Sequence, residues 1–308
     1  MSRLAFLGTP ELAVPPLRAL HRAGHDIALV VSRADRRRGR GSALLPSPLK
    51  AAATELGLPV TERIDDVVGA GVELGVVVAY GRLVPARVLE AVPMVNLHFS
   101  LLPRWRGAAP VERAILAGDP VTGVCVMALE EALDTGPVYR RVEVPIGPGE
   151  HLGPLRDRLV AVGTEQLVDL LAGGPGAMGD PEPQVGEPTY AEKIAPEELA
   201  LDFTEPAEQL SRVVRLDRAW TTFRGRRLRV LEAQVVEPGP EPGPAGSPGV
   251  GVGEGPPGAL RGDLVATGRG VLRLVLVQPE GRGAVAATDW LRGARPAADE
   301  RLGGPAAR

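Results

Sequence analysis

The chain opens with a short apolar run, Arg3–Leu7, that is broken by Gly8-Thr9-Pro10. Apolar residues then recur at helical spacing over Glu11–Ala23, with Pro15 and Pro16 confined to the first half and Gly24 at the end. Asp26–Val31 reads as a second strand. The stretch Leu74–Ala79 is continuously apolar and stops at Tyr80-Gly81. Such runs mark strands buried on both faces of a parallel sheet. The pattern next predicts a helix over Val84–Val92, a strand over Met94–His98, a helix over Gly107–Gly118, a strand over Val121–Leu129 and a long helix over Leu155–Leu171. Strands alternating with helices predict a right-handed, doubly wound α/β sheet.

The pattern then changes. Ala172–Pro188 is rich in Gly and Pro and lacks apolar periodicity, as a linker does. Ala207–Val214 reads as one helix, with Pro206 just before it. After it come short strand-like segments, Thr221–Phe223, Leu228–Val236, Asp263–Ala266 and Val271–Gln278. They predict a smaller, mostly β second domain built as a partly open barrel. Pro238–Pro257 is a second Pro/Gly-rich stretch, expected to be a disordered or loosely ordered surface loop. A length of 308 residues suits two domains. The expected division is 1–172, a linker over 173–202, and 203–308.

Composition narrows the chemistry. Aromatic residues are only 3%, so the cores must be made of Leu, Val and Ala. The single cysteine, Cys125, excludes a disulfide within the chain and a thiolate-rich metal site, and no metal is expected. The first residues, MSRLAFLGTPEL, read as a strand and turn rather than a signal peptide. No run approaches the roughly 18 apolar residues of a membrane span. A cytoplasmic protein without membrane contact is expected, acting as a monomer. Charge is uneven: residues 203–308 sum to +3 and residues 1–202 to -6, which together give the net -3. A basic C-terminal part beside an acidic N-terminal part hints at a polyanionic partner.

The densest polar signal is VNLHFSLLPRWRGAAP, residues 95–110. Asn96 and His98 are two apart on a predicted strand and therefore share a face. They sit at its carboxyl end, where open α/β sheets bind ligands. A hydrogen-bonded structural pair accounts for them as well as a functional one. The second signal, LDTGPV, follows the strand Val121–Leu129 and sets Asp134 in another strand-end loop, expected near His98. A carboxylate beside an imidazole orients the ring and favours its charged form. Taken alone, an Asp before Thr-Gly is ordinary turn chemistry. The first turn, LGTPELA, lacks G-x-G-x-x-G and gives no support to a dinucleotide-dependent oxidoreductase.

These residues carry a resemblance. NLHFSLLPRWRGAAP and LDTGPV are similar to the folate-dependent formyltransferases, and FLGTPELA, PSPLK, VVVAYGRLVP and TYAEKIAPEE match the same family in register over residues 3–303. The resemblance implies a Rossmann-like N-terminal formyltransferase domain with a parallel-rich sheet, and an OB-like C-terminal domain that binds tRNA. It implies that Asn96, His98 and Asp134 are catalytic. It implies that Ser100, Leu101, Leu102 and Pro103, with Tyr80 and Gly81, bind the folate. The donor implied is 10-formyltetrahydrofolate, and the acceptor is the α-amino group of methionine on initiator tRNA. Transfer of a formyl group between nitrogens builds charge on the formyl oxygen, which the Asn96 amide and a His98 N–H can stabilise. Asp134 or a bound water can take the proton of the amine.

Residues 33–41, RADRRRGRG, hold five arginines and lie after the second predicted strand. Flexible Arg-rich loops contact phosphates. The family inserts the matching loop at the tRNA acceptor end, which implies tRNA contact by Arg36, Arg37, Arg38 and Arg40. A second group, Arg212 to Arg229, would suit a phosphate backbone or an ordinary basic surface equally well. A formyltransferase acting on a small amine would share the catalytic trio but leave the Arg-rich loop unexplained. A non-catalytic RNA-binding protein would not need the trio.

Overall fold

The computed structural model describes residues 1–37, 44–236 and 255–303. It divides into two units. The first comprises Met1–Ala114, Pro120–Ile146 and Leu155–Glu192, and the second Ile115–Asp119, Gly147–Pro154 and Lys193–Arg308. The division along the main run of the chain falls at Glu192/Lys193, inside the stretch 173–202.

The first unit is built on a seven-stranded sheet. In spatial order its strands are Val138–Pro145, Val121–Ala128, Met94–His98, Leu74–Val78, Arg3–Gly8, Asp26–Val31 and Val60–Thr61. The last five are mutually parallel. Leu4, Ala5, Phe6 and Leu7 are fully buried, as a central strand covered on both faces requires. Strand order reverses between Arg3–Gly8 and Leu74–Val78, which is the switch point where such sheets open a crevice. At Gly8 an added Cβ would stand 2.7 Å from the Val78 carbonyl oxygen, so only glycine allows this approach.

Two elements depart from the predicted pattern. Val121–Ala128 runs antiparallel to Met94–His98, and Val138–Pro145, which the apolar pattern does not single out, adds a further antiparallel strand at the edge. The edge strand reads VYRRVEVP and is largely solvated, so it carries no continuous apolar run. The Gly/Pro-rich stretch after the helix Leu152–Leu171 is tied to the first unit. Val138 and Glu182 exchange backbone hydrogen bonds, and Tyr190–Ala191 pairs in parallel with Arg106–Gly107.

In the second unit Trp220–Phe223, Arg226–Val236, Val271–Pro279, Leu264–Ala266 and Leu260–Arg261 form an antiparallel sheet, with Val285–Ala286 added to Val271–Pro279. Helix Ala207–Val214 buries Leu210, Val213 and Val214 in the same core as Leu228, Val230, Leu272 and Leu274. A further helix, Ala287–Ala294, sets Trp290 edge-on against Phe223 with ring centroids 5.2 Å apart. Of the Pro238–Pro257 stretch, residues 238–254 lie outside the described residues. Among the described residues no helix is long and apolar enough to cross a membrane, and no group of His, Cys, Asp or Glu could hold a metal ion.

Candidate active site

Every residue of Met94–His98 is buried. Asn96 stands between Val77 and Met127 on the neighbouring strands, and His98 lies opposite Cys125. Alternation puts both side chains on one face, at 9% and 5% exposure. Apolar neighbours surround them, so their polar atoms are costly unless used.

The loop after the strand folds back over His98. Ser100 Oγ donates to the Arg104 carbonyl at 2.6 Å, and Trp105 adopts φ +62°. That turn presents the Trp105 carbonyl to His98 Nε2 at 2.9 Å. A carbonyl only accepts, so Nε2 carries a ring proton and Nδ1 is the atom turned toward Asp134. Nδ1 and Asp134 Oδ2 are 3.7 Å apart, beyond hydrogen-bond length. The expectation that Asp134 lies near His98 holds. The direct orienting contact on the ring, however, comes from Trp105, and Asp134 Oδ2 instead accepts from the Gly107 amide at 2.8 Å.

Asp134 reaches this place by an indirect path. Its strand is antiparallel, so Ala128 at the carboxyl end lies beside Val95, toward the wrong end of the His98 strand. Residues 129–134 must travel back along the sheet to bring the carboxylate to His98. The turn is tight: Asp134 has φ +52°, and a Cβ on Gly136 would collide with the Ala128 carbonyl. These are the demands that the LDTGPV motif meets.

Tyr80 and Gly81 lie at the switch point. Thr9 Oγ1 donates to the Tyr80 carbonyl at 3.2 Å, and Arg33 donates to the Gly81 carbonyl. The Tyr80 ring is buried in a cluster with Val84 and Val88, with Leu89 and Leu129 packed against it. Ser100 and Leu102 are fully interior, Leu102 beside Cys125, Met127 and Val138. Leu101 and Pro103 are half-buried.

The cleft itself is lined by residues that sequence reasoning passed over. A shallow, open depression of about 510 Å³ lies between Ala86, Leu89 and Glu90 on one side and Leu129, Glu130, Glu131 and Ala132 on the other. Its wall ends two residues before Asp134. Leu89 and Leu129 offer apolar contact, and the exposed carboxylates of Glu90, Glu130 and Glu131 offer acceptors, to a flat heterocycle whose edge carries N–H donors. The acidic pair just before LDTG was the available signal.

The described flanks of the Arg-rich segment are paired. Ser32 and Ser47 share a buried hydrogen bond of 2.6 Å, and Arg36–Arg37 pairs antiparallel with Leu44–Leu45. The Lys50 ammonium lies 2.7 Å from Asp35 and 3.1 Å from Glu62, and these hydrogen bonds, Asp35 foremost, raise its pKa. Arg37 is exposed, whereas Arg38 and Arg40 lie outside the described residues.

In the second unit at least three of the seven clustered arginines are held by partners within the unit. Arg224 pairs with Glu300, Arg227 stacks over Trp220 at 4.4 Å, and Arg229 donates to Gln278 at 2.8 Å. For those three the basic-surface reading gains over a continuous phosphate track.

Both parts of the chain resemble known proteins. Residues 2–171 match the formyl transferase model, and residues 193–295 match the formyl transferase C-terminal domain model. A methionyl-tRNA formyltransferase of Jannaschia sp. (strain CCS1) is 42% identical over 95% of this chain and 97% of its own. Among solved structures, the methionyl-tRNA formyltransferase of Clostridium thermocellum aligns with a TM-score of 0.57 at 15% identity, over 77% of this chain and 94% of that one. HypX of Aquifex aeolicus, solved with tetrahydrofolic acid, aligns with a TM-score of 0.60 at 16% identity, over 94% of this chain and 47% of that one. With both parts matched and a relative so similar along nearly its whole length, the chain belongs to the methionyl-tRNA formyltransferase family of formyl transferases.

Proposed function

We propose that this enzyme transfers a formyl group from 10-formyltetrahydrofolate to the α-amino group of methionine on initiator tRNA, with Asn96, His98 and Asp134 as the catalytic residues. The observation that carries the reading is the His98–Asp134 pair, 3.7 Å apart at the carboxyl end of the Met94–His98 strand. When bound there, the folate supplies the one-carbon unit.

The residues divide the work. His98 is held by its Nε2 proton, so Nδ1 is the ring atom available to the reacting centre. It donates to the developing oxyanion when the ring carries both protons. Asn96 supplies a neutral amide donor from the same face of the strand. Each such donor is worth about 2.7–4 kcal/mol in other acyl transfers. Asp134, fixed by Gly107, faces Nδ1 and is the base that takes the proton released by the attacking amine, directly or through water. An α-amino group titrates near pH 7.7–8.0, and esterification to tRNA lowers that, so roughly half or more of the nucleophile is neutral at pH 8 without strong base catalysis.

The segment that carries Arg36, Arg37, Arg38 and Arg40 contacts the acceptor end of the tRNA; the pairing of Arg36–Arg37 with Leu44–Leu45 supports this reading by fixing its two described flanks. The OB-like second domain of residues 203–308 adds further RNA contact. The enzyme acts in the cytoplasm as a monomer.

The test is direct. Purified protein is given labelled formyl donor with charged initiator tRNA, charged elongator tRNA or free methionine. Preferential formylation of the initiator species is expected. Equal use of free methionine, or formylation of an amino sugar instead, would sink the proposal.

A further inference from the structure

The segment after the long helix makes more contact with the reacting loops than a connector needs. The Gln184 side chain uses all of its hydrogen-bonding capacity there. Its Oε1 accepts from Arg106 Nε at 3.1 Å and from a terminal guanidinium nitrogen at 2.6 Å. Its Nε2 donates to the Asp134 carbonyl and the Gly136 carbonyl, both at 2.8 Å. A guanidinium only donates and a carbonyl only accepts, so the amide has one possible orientation. Thr189 does the same for the other loop. Its Oγ1 accepts from the Trp105 amide at 2.9 Å, and its carbonyl accepts from the Arg106 amide at 2.8 Å.

These bonds end one step from the reacting groups. Trp105 holds the His98 ring through its carbonyl, and Thr189 holds Trp105 through its amide. Asp134 is held at its side chain by Gly107 and at its backbone by Gln184. Trp105, Asp134 and Gly107 all sit at positive φ, at +62°, +52° and +121°. Two of them are non-glycine residues in a sparsely populated region that persists only when surrounding bonds over-determine it. Gln184 and Thr189 supply such bonds.

We propose that Gln184 and Thr189 are positioning residues for formyl transfer, joining the His98 loop to the Asp134 turn and fixing the 3.7 Å separation of the two groups. This rests on the reading of His98 and Asp134 as the reacting pair. A misplacement of about 1 Å can cost on the order of a hundredfold in rate.

The test uses the full-length enzyme. Gln184→Glu keeps size and the Arg106 contact but cannot donate to the two carbonyls, whereas Gln184→Ala removes both sets. Thr189→Val removes the acceptor for Trp105, and Thr189→Ser restores it. The expected result is a kcat at least tenfold lower in Gln184→Glu and Thr189→Val, with KM for donor and tRNA within twofold of wild type. The pH dependence of kcat should move, and Thr189→Ser should recover most of the rate. Rates are taken per folded molecule from circular dichroism. If Gln184→Glu does not fold, the Thr189 pair decides. Wild-type kcat with an unmoved pH profile in the folded variants overturns the proposal, as does a loss confined to KM. A wild-type enzyme that formylates nothing overturns the functional reading itself, and this inference with it.

Discussion

Asp134 Oδ2 accepts the Gly107 amide at 2.8 Å, and this bond, rather than one to the imidazole, sets where the carboxylate stands. His98 is oriented independently through Trp105. The two groups are therefore brought face to face by separate anchors, with no direct hydrogen bond joining them across the 3.7 Å between Nδ1 and Oδ2.

Loss of either group should be severe. His98→Ala is expected to lower kcat by about 10²–10³, the range for a single oxyanion donor, and Asp134→Asn by about 10²–10⁴, the range for a positioned base. Steady-state kinetics with charged initiator tRNA measure this, with thermal unfolding to show an intact fold. Near wild-type turnover from either would remove the mechanism.

Gly107 should not tolerate a side chain. It sits at φ +121°, and an added Cβ would stand 2.9 Å from the Ala191 carbonyl oxygen. Gly107→Ala is expected to cost about 1–3 kcal/mol of strain. It should also shift the Asp134 anchor, so that both the denaturant midpoint and kcat fall. An unchanged midpoint would show that the backbone there is slack.

The cleft can be filled without touching the reacting groups. Ala132→Trp places a large ring between Glu131 and Leu89. The KM for the folate donor should rise at least tenfold while the KM for tRNA stays within twofold. A tRNA effect without a folate effect would assign the cleft to the other substrate.

Replacing Arg36, Arg37, Arg38 and Arg40 with Ser should weaken tRNA use and leave folate binding alone. The apparent affinity for tRNA should also lose part of its salt dependence, since fewer phosphate contacts displace fewer counterions. An identical slope of log affinity against log salt would exclude the loop from the interface.

Acid should loosen the second unit. Arg224, and then the Ala297 amide, hold the Glu300 carboxyl down at about 2. A depressed carboxyl contributes stability that is complete above its unfolded value of about 4.3 and is lost as pH falls through the folded value. Urea midpoints followed from pH 5 to pH 2 should therefore fall, and Glu300→Gln should flatten part of that fall. The pair is exposed, so the effect is modest. An identical pH dependence in the variant would mean the pair contributes nothing.

Much of this was legible in the chain itself. A continuous apolar run such as LGVVVA marks a strand buried on both faces, so the first unit's core strands follow from local pattern alone. Asn96 and His98 share a face because strand side chains alternate, whatever the fold around them. The strand-rich second unit was likewise visible in its short apolar segments. Periodicity is a local property, and these are its consequences. What lay beyond it was set by pairings distant in sequence. Whether Val121–Ala128 runs with or against Met94–His98 depends on which edge it meets, and its apolar run reads alike in both directions. That choice decides that Asp134 must return along the sheet to reach His98. The Ala86–Ala132 cleft and the grip of Gln184 on Asp134 join residues about 40–50 positions apart. A Gly/Pro-rich stretch reads as a linker because it lacks apolar periodicity. Its hydrogen bonds to the loops that carry Trp105 and Asp134 are made by polar groups that no hydrophobic pattern records.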